Sequence, residues 1–461
     1  MSLPNSCEGH ERVVVDEDLL SEIEKKFRGR TYREEWVRRK LSTEWAWISP
    51  AFSELIGSAV ADVVVFPRCL EEVIWLLSFA DSHGIPVVPK GGGTGNNVGG
   101  VLPIRGGILM DMRLMNGVGR IDDSTVRVEG GCRFGTLMQH VRARGLDLRV
   151  YPTSYPLATV GGFVVGGSRG IGSYEYGLIW DNVSSLRLVT PKGEVLELQS
   201  DEVETVTHSM GTVGVVVEVG LMLRPLWDHV LAEGYFRELS SVAEFIDLLI
   251  RDRVQFWHLT VRNSGYGRLM EDLTRSSRAR EGWYVMAAYP TNRHLAATFK
   301  SYVERCSGSI DRVKVTDRVS IDRILSGVFG LPQTPYIIRH IKERDPHRHL
   351  LYLVFYHHHN RVWDVVEEVS AHEEWAPLIE VNLFWIRGAP YAHFGLFVEG
   401  DAETLAALRK RFAGVGYKFD LHSHLVNDRL GALFPEKLQA MMDFKRRVDP
   451  NGIMNPGKLG V

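Results

Sequence analysis

Apolar and polar positions along this chain follow two different periods. "DVVVF", from Asp62, is continuously apolar and stops at Pro67, which predicts a buried strand. "LEEVIWLLSFADSHG" follows, with Val73, Leu76, Leu77 and Ala80 on one helical face and Gly84 at the C′ position. "IPVVP" returns to strand, completing a β-α-β unit that leads into "PKGGGTGNNVGG". Beyond it, "GGILMDM" and "STVRVEGG" read as strands, and "FGTLMQHVRARGL" as a short amphipathic helix ending at Gly145. "SSLRLVTPKGEVLEL" reads as a hairpin turning at Pro191-Lys192-Gly193, and "GTVGVVVEVGLMLRP" as one more strand.

After Pro225 the texture changes. Glycine loops thin out and aromatic residues rise. "SSVAEFIDLLIRDR", "NRHLAATFKSYVERC" and "RVWDVVEEVSAHEEW" read as helices; "GWYVMAAYP", "HLLYLVFYHHH", "LIEVNLFWI" and "AHFGLFVEG" read as strands. That mixture predicts an α+β fold whose second half is an antiparallel sheet covered by helices. The expected division is an N-terminal helical segment (1–55), a ligand-binding domain (56–227), a substrate or cap domain (228–430) and a returning C-terminal segment (431–461).

Composition narrows the class of function. With 54 basic and 57 acidic residues the formal net charge is -3, which gives no reason to expect nucleic acid. The start "MSLPNSCEGHERVVVDEDLL" has no apolar signal region, and no window approaches the roughly 18 apolar residues of a membrane span. Four isolated cysteines, Cys7, Cys69, Cys132 and Cys306, encode neither an iron–sulfur cluster nor a Cys-rich zinc site. A reducing, cytoplasmic setting is the expectation.

Pro89 to Gly100 holds six glycines, yet matches neither G-x-G-x-x-G nor G-x-x-x-x-G-K-[ST]. Bare amides in succession form a nest for an anion. A second glycine-dense passage, "YPTSYPLATVGGFVVGGSRGIGSYEYG", argues for one long ligand that approaches the backbone several times. These two passages, with "LVTPKGEVLEL", "GTVGVVVEV" and "DPNGIMNPGK", resemble in order the motifs of the vanillyl-alcohol oxidase / PCMH-type flavoprotein family, over residues 60–226 and 430–458. The resemblance implies a two-subdomain FAD-binding domain. Pro89, Lys90, Gly91, Gly92, Gly93, Thr94, Gly95 and Asn96 would hold the pyrophosphate, and Pro152, Thr153, Ser154 and Tyr155 would run along the flavin. Thr159, Gly161, Gly162, Ser168, Ser173 and Gly177 would line the rest. Gly211, Thr212, Gly214 and Val215 would close over the dinucleotide, with Asn455 and Lys458 returning near the flavin. The family often has Glu where Met210 stands. No histidine lies between His83 and His140, so noncovalent FAD is expected.

Flavin chemistry calls for a base, and histidine suits it with an unperturbed pKa near ~6.5. Candidates are His393 in "YAHFG" and His422 and His424 in "DLHSHLVND"; Arg339 in "TPYIIRHIKER" is the candidate for holding a carboxylate. "RGAPYAHFG" resembles the metal segment of the glycolate oxidase / D-lactate dehydrogenase-like branch only at His393, so no metal is expected. The expected activity is oxidation of a 2-hydroxy acid of the D-lactate or glycolate type, a small-molecule substrate. Electrons would leave to an external acceptor: a quinone, a carrier protein or oxygen. An alkyldihydroxyacetone-phosphate synthase-like flavoenzyme and a sugar or phenol oxidase are the alternatives, and homo-oligomerisation stays open.

Overall fold

The computed structural model describes residues 12–44, 59–95, 100–166, 169–199, 201–266, 268, 280–317, 321–322, 350–372, 377–400, 403–404, 407–408, 410, 420–421 and 435–459, with backbone only at 201, 350–357, 420 and 421. Three sheets organise them. The first has four strands in the order β1-β2-β4-β3: β1 (Thr31–Tyr32), β2 (Val63–Val65), β3 (Val87–Lys90) and β4 (Ile108–Asp111). β2, β4 and β3 run parallel. Every residue of β2 and β4 is buried, as a parallel sheet covered on both faces requires. The helix Leu70–Ser82 buries Val73, Leu76, Leu77 and Ala80, the face read from the sequence, and Gly84 closes it at φ +63.

The second sheet contains β5 (Val118–Ile121), β6 (Thr125–Glu129), β7 (Leu146–Leu148), β8 (Val183–Val189), β9 (Val195–Gln199) and β10 (Val215–Pro225). Its order is β5-β6-β10-β8-β9, with β7 also on β10. The eleven-residue β10 is its spine, pairing with β6, β7 and β8. The expected hairpin is β8–β9, with Gly193 at φ +78 in its turn.

The third sheet is antiparallel and has eight strands: β11 (His229–Phe236), β12 (His258–Asn263), β13 (Trp283–Pro290), β14 (Ser309–Thr316), β15 (Leu350–His358), β16 (Leu378–Ile386), β17 (Ala389–Glu399) and β18 (Asp420–Leu421). Their order is β14-β11-β13-β12-β16-β17-β15-β18. Alternate residues on a strand face opposite ways. On one face Leu259, Val261, Ile379, Val381, Phe394 and Leu396 join Phe245, Leu249, Phe299, Val362 and Val366 from three covering helices, Leu239–Arg251, Ala296–Arg305 and His359–Ser370. The other face turns toward the second sheet. There Leu231, Met286 and Ala288 pack with Val150 and Tyr151, and Phe384, Ile386 and Tyr391 pack with Leu178 and Trp180.

The connection from β10 to β11 is locked by a buried charged seam. Asp147 accepts from Arg142 Nε at 3.0 Å and from Arg224 Nη2 at 3.2 Å. Arg142 also pairs with Asp322, which accepts from Tyr151 Oη at 2.6 Å. The Arg224 guanidinium lies 4.3 Å over the Trp257 ring, whose Nε1 donates to the Arg149 carbonyl. The helix Pro435–Val448 and the tail after it return to the first sheet, where Asn455 N donates to the Val87 carbonyl at 2.8 Å.

Removing one partner from a buried charge set leaves an uncompensated ion, which costs about 3–5 kcal/mol. Asp147→Ala is therefore expected to lower the unfolding free energy by that amount in denaturant titration. A loss under about 1 kcal/mol, the usual range of exposed pairs, would refute the seam's role.

Candidate active site

One cleft gathers residues from both glycine passages and from the approach to β10. Pro89, Lys90, Gly91, Thr159, Gly161, Gly162, Gly211, Gly214 and Val215 line it, with Met112, Gly130, Val165 and Val216, around about 360 Å³ of open volume. Side chains are excluded here by geometry. A β-carbon on Gly91 would lie 2.0 Å from Thr159 Oγ1, and one on Gly130 2.3 Å from the Val216 carbonyl oxygen. Thr159 Oγ1 is buried without a hydrogen-bond partner. A glycine-walled cleft with an orphaned hydroxyl fits the phosphate and ribose oxygens of a dinucleotide.

The other expected cofactor residues surround or brace this cleft. Gly92 abuts the Leu157 carbonyl, Gly93 takes φ +64, and Gly95 ends the described stretch. Thr94 meets Ser154, Oγ to Oγ1, at 3.3 Å, joining the two glycine passages. Pro152 to Tyr155 form a turn closed by Tyr155 N to the Pro152 carbonyl, 3.0 Å, with Thr153 inside it. Ser173 Oγ accepts from Gly170 N at 2.9 Å, Gly177 takes φ +75 beside Asp181, and Thr212 Oγ1 donates to the Ser209 carbonyl. Asn455 Nδ2 donates to the Gly100 and Met210 carbonyls, and Lys458 Nζ to the Leu102 carbonyl at 2.6 Å. These two tail residues hold the cleft's walls in place. Lys90 gives its ammonium to the carbonyls of Leu41 and Thr43. Burial lowers its pKa to about 8, against the opposing pull of Asp111. Asn96 and Ser168 lie outside the described residues.

The helix Val160–Gly166 leads from the cleft toward Arg169, and Arg169 meets the third sheet. Registers place Thr260, Asn382 and His393 in one row across β12, β16 and β17, with Arg262 opposite Glu380 in the next row. Arg169 Nη2 stands 2.7 Å from His393 Nδ1. A guanidinium only donates, so the facing imidazole nitrogen is an unprotonated acceptor and His393 is neutral in this contact. Arg262 Nε donates to Glu380 Oε2 at 2.9 Å, and Asn382 Nδ2 to Oε1 at 2.7 Å. Burial would raise the Glu380 carboxyl, but Arg262, Arg169 and Asn382 outweigh it and hold it below its ordinary value. Burial lowers His258 to about 3, so its ring is neutral at pH 7.

Of the residues proposed for chemistry, His393 reaches this face; His422, His424 and Arg339 lie outside the described residues. Arg387, which precedes the His393 strand, pairs with Glu204 at 2.8 Å on an exposed turn. The consecutive histidines divide: His358 ends β15, while His359 opens a helix and bonds Asp247 at 3.1 Å. Arg169, His258, Arg262, Glu380 and Asn382 did not stand out as site residues. Their one sequence signal is polar residues two apart in the otherwise apolar runs "HLTVRN" and "LIEVNLFWI".

Residues 61–199 match the family described as FAD binding domain. Over 197 residues, 40% of this chain, the sequence is 34% identical to the mitochondrial D-lactate dehydrogenase [cytochrome] of Arabidopsis thaliana. Over 178 residues, 36% of the chain, it is 29% identical to the glycolate oxidase subunit GlcD of Bacillus subtilis. These stretches span 34% and 38% of the two relatives, about a third of each. A solved alkyldihydroxyacetonephosphate synthase superposes with a TM-score of 0.75 over 97% of this chain and 86% of that one, at 17% identity, which establishes a shared fold. No described helix is long and apolar enough to cross a membrane.

Gly91→Ala is expected to fill the cleft and give protein purified without flavin colour, measured as bound flavin per chain; full occupancy would refute the cleft. His258 binds no proton in the fold until about pH 3, but binds one near 6.5 when unfolded. Its stabilising contribution is thus present above pH 6.5 and lost as pH falls toward 3. His258→Gln should remove about 1.4 kcal/mol per pH unit from the steepness of acid destabilisation in that window, read from unfolding free energies. An unchanged slope would refute it.

Proposed function

Because residues 61–199 are an FAD-binding domain, we propose that this chain is an FAD-dependent oxidoreductase acting on a 2-hydroxy acid of the D-lactate or glycolate type. Bound FAD supplies the two-electron acceptor for the C2 hydride. Pro89, Lys90, Gly91, Thr159, Gly161, Gly162 and Gly214 hold it, without a covalent bond. The observation that carries the reading is the Arg169–His393 contact, where the cofactor-cleft side of the chain meets the polar face of the third sheet. That face offers what a 2-hydroxy acid needs: cationic donors for the carboxylate and neutral imidazoles for the hydroxyl proton. An imidazole held at about 3 is a weak base near neutral pH, so His258 is a poor proton acceptor and the role is assigned to His393. The partial similarity to D-lactate dehydrogenase and glycolate oxidase sequences supports the same substrate class. The cysteines form no iron–sulfur motif, so electrons leave to a separate acceptor such as a quinone, a carrier protein or oxygen.

A second reading, transfer chemistry on an alkyldihydroxyacetone phosphate, is favoured by the fold match that covers nearly the whole chain. Anaerobic titration separates the two. D-lactate, glycolate or another 2-hydroxy acid is expected to bleach the flavin absorbance band and yield the 2-oxo acid. Absence of bleaching with every 2-hydroxy acid would defeat the proposal. A flavin spectral change with an alkyldihydroxyacetone phosphate alone would favour the second reading.

A further inference from the structure

Arg169 presents a half-used binding edge. The Nε and Nη2 of a guanidinium form one side-on fork that matches the two oxygens of a carboxylate. This chain uses that fork elsewhere. Arg113 closes it on Asp111 at 2.8 and 2.7 Å, and Arg142 on Asp147 at 3.0 and 3.3 Å. In Arg169 the Nη2 end faces His393 Nδ1, while Nε is buried with no hydrogen-bond partner. A buried cationic donor left unmade is expensive, and a built site normally satisfies it. Imidazole fills only one position of the fork; a carboxylate fills both.

We propose that the Arg169 fork is the subsite for the substrate carboxylate, and that His393 is its stand-in when substrate is absent. The proposal rests on the 2-hydroxy acid reading and adds how the site is armed. A carboxylate arriving at Nε and Nη2 displaces His393 from the guanidinium. Two things follow for the imidazole. Its Nδ1 lone pair is released from a donor that blocked it, and the neighbouring positive charge is neutralised, so its proton affinity rises. His393 would then accept the hydroxyl proton at Nδ1 as the oxygen's electron pair closes the C=O of the 2-oxo acid; FAD held in the cleft would supply the two-electron acceptor for the C2 hydride. The base is thus disarmed until an acid occupies the site. The other groups bearing on His393 are Asn382 beside it in the row, Glu380 with Arg262 in the next row, and His258 and Tyr391 on the same face. Glu380 stays ionised against Arg262, so the change in charge at His393 comes from Arg169.

The test uses the FAD-loaded full chain and 2-hydroxyisobutyrate, a 2-hydroxy acid with no C2 hydrogen to give. Arg169→Ala, and Arg169→Lys, which keeps the charge but loses the fork, are each expected to weaken its binding on the order of 10- to 100-fold. Both should retain flavin and melting midpoint. His393→Asn is expected to bind it as tightly as wild type or more tightly, because a competitor for Arg169 is gone, while kcat with the oxidised acid falls on the order of 100-fold or more. In protein labelled at histidine Cε1, the resonance missing in His393→Asn should titrate at higher pH with the probe bound than without it. Probe binding unchanged in Arg169→Ala, weaker binding in His393→Asn, or a His393 titration indifferent to the probe would each overturn the subsite. The parent reading fails separately: if no 2-hydroxy acid bleaches the flavin, yet the probe still binds through Arg169, the oxidation is wrong and the carboxylate subsite stands.

Discussion

Strict alternation of side chains along β12, β16 and β17 is the constraint on which the site depends. In β12 and β16 the odd-numbered residues Leu259, Val261, Val381 and Leu383, and in β17 the even-numbered Phe394 and Leu396, enter a core under three helices. The even-numbered positions of β12 and β16 are thereby committed to the opposite face, where His258, Thr260, Arg262, Glu380 and Asn382 stand. A slip of one residue would send the charged set into the core and the apolar set toward the cofactor cleft. The large apolar side chains of these strands oppose that exchange, each worth about 1.5–3 kcal/mol when buried. The hydrophobic core thus fixes the aim of the polar residues.

The cleft works by the opposite device. Where the third sheet places side chains, the two glycine passages remove them. Gly91 and Thr159 approach so closely that no larger residue fits between them. Amides and a single hydroxyl are left facing the space. The two devices meet at Arg169, three residues past the helix Val160–Gly166, and its contact with a strand more than two hundred residues away joins the cofactor cleft to the polar face of the third sheet. The seam of Asp147, Arg142, Arg224 and Asp322 ties β7 and β10 to the helix Phe134–Arg142 and, through Arg142, to Asp322.

Much of this was legible in the chain itself. Long periodic elements were readable because local spacing determines them: the helix Leu70–Ser82 and the β8–β9 hairpin stand where their apolar patterns and turn residues put them. The cofactor was readable because bare backbone leaves a compositional mark. The polar face of the third sheet was harder to read. Among the described residues, His393 is the candidate histidine that falls on it, and in the "HHH" run the strand ends at His358 while His359 turns to Asp247. Polar residues two apart in β12 and β16 were visible, but which face they take is decided by helices distant in sequence. Arg169 looked like one more residue of a glycine passage, because nothing local reveals a partner in β17.

The tail after the helix Pro435–Val448 carries a consequence for biogenesis. Asn455 draws together the carbonyls of Gly100 and Met210, and Lys458 anchors that of Leu102. The walls of a pocket encoded before residue 217 are therefore clasped by residues translated more than two hundred positions later. A nascent polypeptide whose residues 455–458 have not yet emerged from the ribosomal tunnel lacks that clasp, so the two walls are joined only once this distant segment has been made.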